Sequence, residues 1–285
     1  YKRQVNGFST SLEEKIQLKS LKTVNGLEDV EFIRPGYAIE YDFFYPSQLK
    51  NTLESKAISG LFMAGQINGT SGYEEASSQG IIAGINASCF VLDENPLILK
   101  RDDAYIGVLI DDLILKDTNE PYRMFTSRAE YRLQLRSSNA DQRLLKKTKE
   151  YNLLDEKTLE KLSEKIEKTT NLVKYLENNN IYPEKINNRL EELDEKTIKE
   201  PTRMSNVLKR PKVSISDMKI AKEENKNVLT DHMEEEILFE AETIIKYSGY
   251  INRQKDEIDK IKVYEDMIIP EKFDYNNIKS LSNES

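Results

Sequence analysis

A glycine-rich segment at residues 65–75 is the part of the sequence whose residue types and spacing best suit ligand binding. Glycine lets the backbone approach a ligand closely and adopt a positive φ, and a helix is predicted to begin directly after the segment. The unpaired N–H groups and partial positive charge of a helix N-terminus suit a phosphate or an electron-rich ring edge. The candidate ligand contacts are Gly65, Gln66, Asn68, Gly69, Thr70, Gly72 and Tyr73. A tight turn that only packs against the helix is the alternative that the pattern leaves open.

A second segment interleaves arginines with aromatic residues. Residues 121–149 hold eight basic and two acidic side chains, a local charge of +6 in a chain whose formal net charge is −8. Arginine pairs with phosphates and stacks on unpaired bases, so this pattern is typical of a nucleic-acid contact. The candidate contacts are Arg123, Arg128, Arg132 and Arg136. An equally good alternative is a structural network with the acidic residues just upstream, namely Asp102, Asp103, Asp111 and Asp112.

The counts of reactive side chains exclude several kinds of site. Cys89 is the only cysteine, so an intramolecular disulfide is impossible, and His232 is the only histidine. A zinc site of histidines and cysteines is therefore excluded, and a Ser/His triad would have to use His232. We expect Cys89 to be a buried, inert thiol and His232 to be a surface or capping residue. The sequence predicts no catalytic residue, no metal ligands and no apolar run near the ~18 residues of a membrane span.

The glycine segment is predicted to lie between a strand and a helix. An apolar run at residues 58–64 precedes it, and Ser71 and Glu74 have the spacing of a capping box for the helix that follows. Strand, glycine loop and helix are half of a doubly wound α/β unit. Two further strands are predicted at residues 30–34 and 37–45 from their β-branched and aromatic content.

The arginine segment has an ambiguous period. Ser127 and Glu130 could cap a helix, yet residues 131–136 alternate as in a strand. Under either interpretation a spacing of four residues places Arg128, Arg132 and Arg136 on one face.

The rest of the chain is predicted to be helical from residue 141. Asp155 is a suitable helix cap, and Pro183 suits the first turn of the next helix. A long helix is predicted from near Asp231 to about Tyr264. At roughly 150 residues per domain, a chain of 285 residues is expected to form about two domains.

Four blocks of sequence carry a resemblance to a known family. They are residues 34–42, 65–80, 104–112 and 120–133, with weaker similarity at 246–254 and 281–284. Together they resemble the MnmG (GidA) family of FAD-dependent tRNA uridine 5-carboxymethylaminomethyl modification enzymes. The resemblance covers nearly the whole chain.

The resemblance implies an enzyme that works with the GTPase MnmE to modify C5 of the wobble uridine of certain tRNAs. It implies FAD, NADH and methylene-tetrahydrofolate as the carbon donor, with a carboxymethylaminomethyl or aminomethyl group as the addition. It also implies a cytoplasmic homodimer without a membrane segment. Gln66 falls in the family's FAD-contacting segment, and the loop and helix start after it would face the isoalloxazine ring.

The resemblance also implies an α/β plus all-α fold. Residues 1–96 would be the closing part of a Rossmann-like FAD-binding domain, and residues 97–285 would be a helical domain that binds tRNA and the partner protein. The family's N-terminal GxGxxG motif and its cysteine-bearing segment do not occur here, and Cys89 matches neither family cysteine.

We therefore expect a C-terminal portion of the enzyme that is inactive by itself and lacks the family's last helices. Two alternatives stay open. One is a non-catalytic module that binds tRNA or a partner protein. The other is a related folate- and FAD-dependent tRNA uridine methyltransferase, against which the long helical region argues.

Overall fold

The computed structural model describes residues 5, 10–37, 42–116, 121–221, 234–265 and 268. Helices dominate these residues. The α-helices are α1 (Glu14–Lys22), α2 (Tyr73–Leu92), α3 (Tyr105–Leu115), α4 (Ala140–Glu150), α5 (Glu156–Asn178), α6 (Pro183–Glu192), α7 (Met204–Leu208) and α8 (Glu235–Glu265). Strands β1 (Asn180–Ile181) and β2 (Thr202–Arg203) pair in antiparallel fashion. Short 3₁₀ helices lie at Pro46–Gln48, Gly65–Asn68, Thr126–Arg128, Ser137–Asn139 and Ile215–Ala221.

The strands predicted before the glycine segment are wrong for every described residue they include. Residues 30–34, 42–45 and 58–64 form no strand, and residues 38–41 lie outside the described ranges. Single bridges occur instead, including Glu54 with Phe62 and Thr70 with Tyr122. A segment with high strand propensity forms a strand only when a neighbouring strand provides a ladder of hydrogen bonds. The described residues provide only isolated bridges between single residue pairs here.

Helix α2 forms where it was predicted, but the capping box is wrong. Gly72 is the N-cap residue, and no side chain caps the helix. A Cβ at position 72 would clash with Glu75 Oε2, so a side chain here would force that carboxylate to move. Ser71 is exposed just outside the helix.

The first hydrophobic core extends past residue 96. Side chains from before and after this position share one cluster, which contains Leu49, Leu53, Ile82, Ala83, Leu97, Ile110 and Ile114. Helix α3 thus packs with α2 in the same core. The domain boundary at residue 96 stays a prediction, and these contacts favour a boundary later in the chain.

The helical second part of the chain is confirmed. Asp155 caps α5 by accepting a hydrogen bond from the Thr158 N–H at 2.9 Å, and Pro183 is the first residue of α6. Helix α8 has 31 residues, about 46 Å at 1.5 Å per residue, and continues through Gly249. Its predicted start near Asp231, and His232 with it, lie outside the described residues.

A second hydrophobic core is built by α5, α6, α7 and α8. Its fully buried members include Leu172, Leu176, Ile186, Leu190 and Leu208. In the ranges described, no helix is both long and apolar enough to traverse a lipid bilayer.

Candidate functional site

The glycine loop has the backbone that its composition predicts. Gly65 has φ +85° and Gly69 has φ +76°, in the left-handed region that favours glycine. A Cβ at Gly69 would lie 2.5 Å from the ring of Phe43, so this position admits no side chain without a shift of that ring. The loop therefore packs tightly against the Phe43 ring at Gly69.

Gln79 of α2, which the sequence analysis did not single out, organises the inner side of this loop. Its fully buried amide oxygen accepts hydrogen bonds from the Gly65 N–H at 3.0 Å and from Asn68 Nδ2 at 2.8 Å. Its Nε2 donates to Thr70 Oγ1 at 2.9 Å. A signal existed in the sequence, because Gln79 is a polar residue one turn from Ile82 and Ala83 on the face that α2 buries.

The predicted ligand contacts divide into an inner and an outer group. Asn68 and Thr70 are each 1% exposed, and their side chains shape the loop. Gln66 and Tyr73 are exposed, and Tyr73 is 90% accessible. Only the outer group presents side chains to a ligand in this conformation.

The structure brings the glycine loop and the arginine segment together. The Tyr122 N–H donates to the Gly69 carbonyl oxygen at 2.7 Å. Glu75, in the first turn of α2, accepts a hydrogen bond from the Met124 N–H at 2.9 Å and lies 3.4 Å from Arg123 Nε. Two segments about 50 residues apart in sequence are therefore one structural unit.

Glu75 is a nearly buried carboxylate that joins these segments as an anion. Burial raises the pKa of Glu75, but the Met124 N–H and the Arg123 guanidinium lower it by a larger amount. The pKa of Glu75 therefore lies below its ordinary value. Its Oε2 is buried without a hydrogen-bond partner in the described part of the chain.

We expect Glu75→Gln to destabilise the protein by about 1 kcal/mol at pH 7, because a neutral amide is a weaker acceptor for Met124 and Arg123. The lowered pKa means that the stabilisation is present above the unfolded value of about 4.3 and is lost as pH falls through the folded value. Urea unfolding of both proteins should show the difference shrinking between about pH 5 and pH 3. A difference that grows with acidification would contradict this assignment.

A buried network around Asp112 fixes the base of the arginine segment. Asp112 is fully buried and lies 2.7 Å from both Arg101 Nη1 and Lys116 Nζ, and it accepts a hydrogen bond from the Tyr122 hydroxyl at 2.9 Å. Burial raises the pKa of Asp112, but these three partners lower it below its ordinary value. Burial and the same contact raise the pKa of Tyr122.

The predicted common face of the arginines is wrong, because residues 129–136 form neither helix nor strand. Arg128 lies 4.6 Å above the Tyr122 ring and 3.8 Å from Asp112 Oδ2. Arg136 is 17% exposed and pairs with the buried Glu240 of α8. The acidic network proposed as the alternative therefore exists in part, and Arg101, which was not a candidate, is its main guanidinium partner.

Two of the four candidate arginines remain accessible to a phosphate. Arg123 is 53% exposed even though it lies near Glu75. Arg132 is exposed, and it makes no ion pair with any described residue. We therefore retain Arg123 and Arg132 as the main candidates for tRNA contact. Arg128 is partly exposed, and we interpret Arg136 as a structural residue.

Two family models match the chain. The model "Glucose inhibited division protein A" matches residues 2–95, and "tRNA modifying enzyme MnmG/GidA C-terminal helical domain" matches residues 156–255. The MnmG tRNA uridine 5-carboxymethylaminomethyl modification enzyme of Christiangramia forsetii is 50% identical over 281 residues, which cover 99% of this chain and 45% of that protein. The MnmG enzyme of Thermodesulfovibrio yellowstonii is 49% identical, and the matched region covers 44% of that protein.

A solved structure shows the same relationship. GidA of Aquifex aeolicus, in its form II crystal, matches with a TM-score of 0.73 and 38% identity over 97% of this chain and 43% of that one. This match confirms the α/β plus helical fold class. The chain spans less than half the length of the curated relatives that it matches. Over that length, its sequence and its fold place it in the MnmG/GidA family.

Proposed function

We propose that this chain supplies one wall of the FAD site and part of the tRNA surface of an enzyme that modifies C5 of the wobble uridine. The observation that carries the proposal is the direct contact between the glycine loop and the arginine segment through Gly69, Glu75 and Tyr122. This contact would place a flavin next to bound RNA. The printed name of the relatives, a tRNA uridine modification enzyme, supports the same activity.

The residues of the loop fit the uncharged part of FAD better than its phosphates. The first turn of α2 carries Glu74 and Glu75, whose negative charges disfavour a pyrophosphate at this helix N-terminus. The neutral side chains of Gln66 and Tyr73 are exposed beside it. Gln66 would hydrogen-bond the ribityl chain, and Tyr73 would lie near the isoalloxazine ring. Bound FAD supplies the redox chemistry, while the chain binds and orients it.

We assign the remaining components by the resemblance to the family. NADH would reduce the flavin, methylene-tetrahydrofolate would donate the carbon, and the GTPase MnmE would act as partner of a cytoplasmic homodimer. Within the described residues no group of His, Cys, Asp and Glu could hold a metal ion. We assign binding and positioning roles to this chain.

The double substitution Gln66→Ala and Tyr73→Ala is expected to lower FAD occupancy about tenfold, because both exposed side chains would lose their contacts with the flavin. The hydrogen bonds inside the loop do not involve these side chains, so its fold should be kept. Flavin absorbance of the purified full-length protein measures occupancy. Tyr182→Ala, which removes an exposed aromatic ring of the helical part, is the control. Wild-type occupancy in the double variant would contradict the FAD assignment. A full-length protein that binds tRNA but never retains flavin would favour the non-catalytic module.

Arg132→Glu is expected to weaken tRNA binding and to reduce the slope of log affinity against log salt by about one, since one phosphate contact is lost. Arg210→Glu, on the helical part, is the matched control, because its guanidinium bonds the Lys196 carbonyl oxygen. Binding would be measured by fluorescence anisotropy over a range of salt concentrations. Equal affinities and slopes for wild type and Arg132→Glu would show that Arg132 does not meet RNA.

A further inference from the structure

An open cleft of about 780 Å³ lies between the arginine segment and α8. Its apolar wall contains Tyr105 and Leu135, and Phe239 of α8 lines it from the other side. Phe239 is 61% exposed, so its ring is accessible from solvent. The cleft thus has the volume and an accessible aromatic ring to receive a planar group.

Polar groups in this cleft lack the partners that such groups normally have. Arg132 lines the cleft and has no ion pair among the described residues. Gln254 Oε1 and Arg136 Nε belong to lining residues, and both atoms are buried without a hydrogen-bond partner in the described ranges. Buried polar atoms are nearly always satisfied by protein, water or ligand, so these two lining side chains keep hydrogen-bonding capacity that their protein contacts do not use.

Glu130, the acidic residue that lines the cleft, repels a bound anion only weakly because Arg101 neutralises its charge. Glu130 lines the cleft, but its carboxylate accepts a hydrogen bond from Arg101 Nε at 3.1 Å. Arg132 is therefore the free charge on this side. The arrangement offers one aromatic face, one amide and one unpaired guanidinium.

We propose that this cleft holds one unpaired nucleotide of the bound tRNA, an assignment that rests on the proposed function. Its base would stack on Phe239 and hydrogen-bond the Gln254 amide, and its phosphate would pair with Arg132. A base inside a duplex cannot stack on a protein ring, whereas an unpaired base can. The Gln254 amide carries both a donor and an acceptor, which suit the Watson–Crick edge of a base. Because its Oε1 is buried, the amide would rotate about its side-chain bonds to meet that edge.

The test compares Phe239→Ala and Gln254→Leu with wild type. The probes are a single-stranded oligouridylate of about eight nucleotides, a blunt RNA duplex of the same length, uridine 5′-monophosphate and a tRNA transcript. Each variant is expected to bind the single strand about tenfold more weakly and the duplex as tightly as wild type does. Tyr182→Ala is the control. Thermal unfolding of each variant checks that the fold is intact, and Phe239→Ala should unfold like wild type because that ring is exposed.

Four results separate the possibilities. A selective loss of single-strand affinity supports the proposal. Unchanged single-strand affinity in both variants, with tRNA binding that still depends on Arg132, overturns the cleft assignment and leaves the proposed function standing. Binding of the free mononucleotide without the oligonucleotide overturns the assignment to RNA. A wild-type protein that binds no tRNA overturns the nucleotide cleft together with the tRNA part of the proposed function.

Discussion

Replacing Asp112 by alanine is expected to lower the free energy of unfolding by about 3–5 kcal/mol, the range seen when one partner of a buried ion pair is removed. Asp112 is fully buried and bonds Arg101, Lys116 and the Tyr122 hydroxyl. Its removal leaves the Tyr122 hydroxyl without that acceptor and one side of Arg101 uncompensated. Urea denaturation measures the effect.

The neighbouring Asp111 provides the control. Asp111 is 31% exposed and contacts Arg101 at 2.9 Å, so Asp111→Ala is expected to cost no more than about 1 kcal/mol. Because Tyr122 also bonds the glycine loop, Asp112→Ala should weaken FAD binding as well as stability. Equal stabilities of the two alanine variants would show that the buried network does not hold the arginine segment.

Gln79→Leu is expected to cost about 3 kcal/mol, because the substitution leaves buried donors of the glycine loop unsatisfied. The Gly65 N–H and the Asn68 amide lose their acceptor, and Thr70 Oγ1 loses a donor. The loop should lose its fixed shape, so FAD occupancy should fall together with stability.

The same chemical change at Gln66 is the matched control for Gln79→Leu. Gln66 is exposed on the outer side of the loop, so Gln66→Leu should alter stability by less than about 0.5 kcal/mol. A Gln79→Leu protein as stable as Gln66→Leu would mean that the loop is held by its backbone alone.

Local features of the site were predictable from the sequence. The glycine loop and the helix after it follow from residue type and spacing, and the positive φ angles of Gly65 and Gly69 agree with that analysis. The helical second part follows from apolar periodicity, and Asp155 caps α5 as predicted. Each of these features depends on contacts within a few residues of the chain.

The features that were missed depend on contacts between distant residues. Glu75 meets Met124 across 49 positions, and Arg136 meets Glu240 across 104. Neither a helical nor a strand period describes residues 129–136, so the shared arginine face had no physical basis there. The predicted strands failed for a related reason, since local propensity does not supply the partner that a ladder requires.

The central claim is that the glycine loop contacts a flavin while the adjoining arginine segment contacts tRNA. Amide hydrogen exchange with FAD, with tRNA and with both ligands tests it most directly. The account predicts that FAD slows exchange in residues 65–73 and that tRNA slows it in residues 121–132. Ligand binding that leaves both segments exchanging at the rates of the free protein would contradict the account.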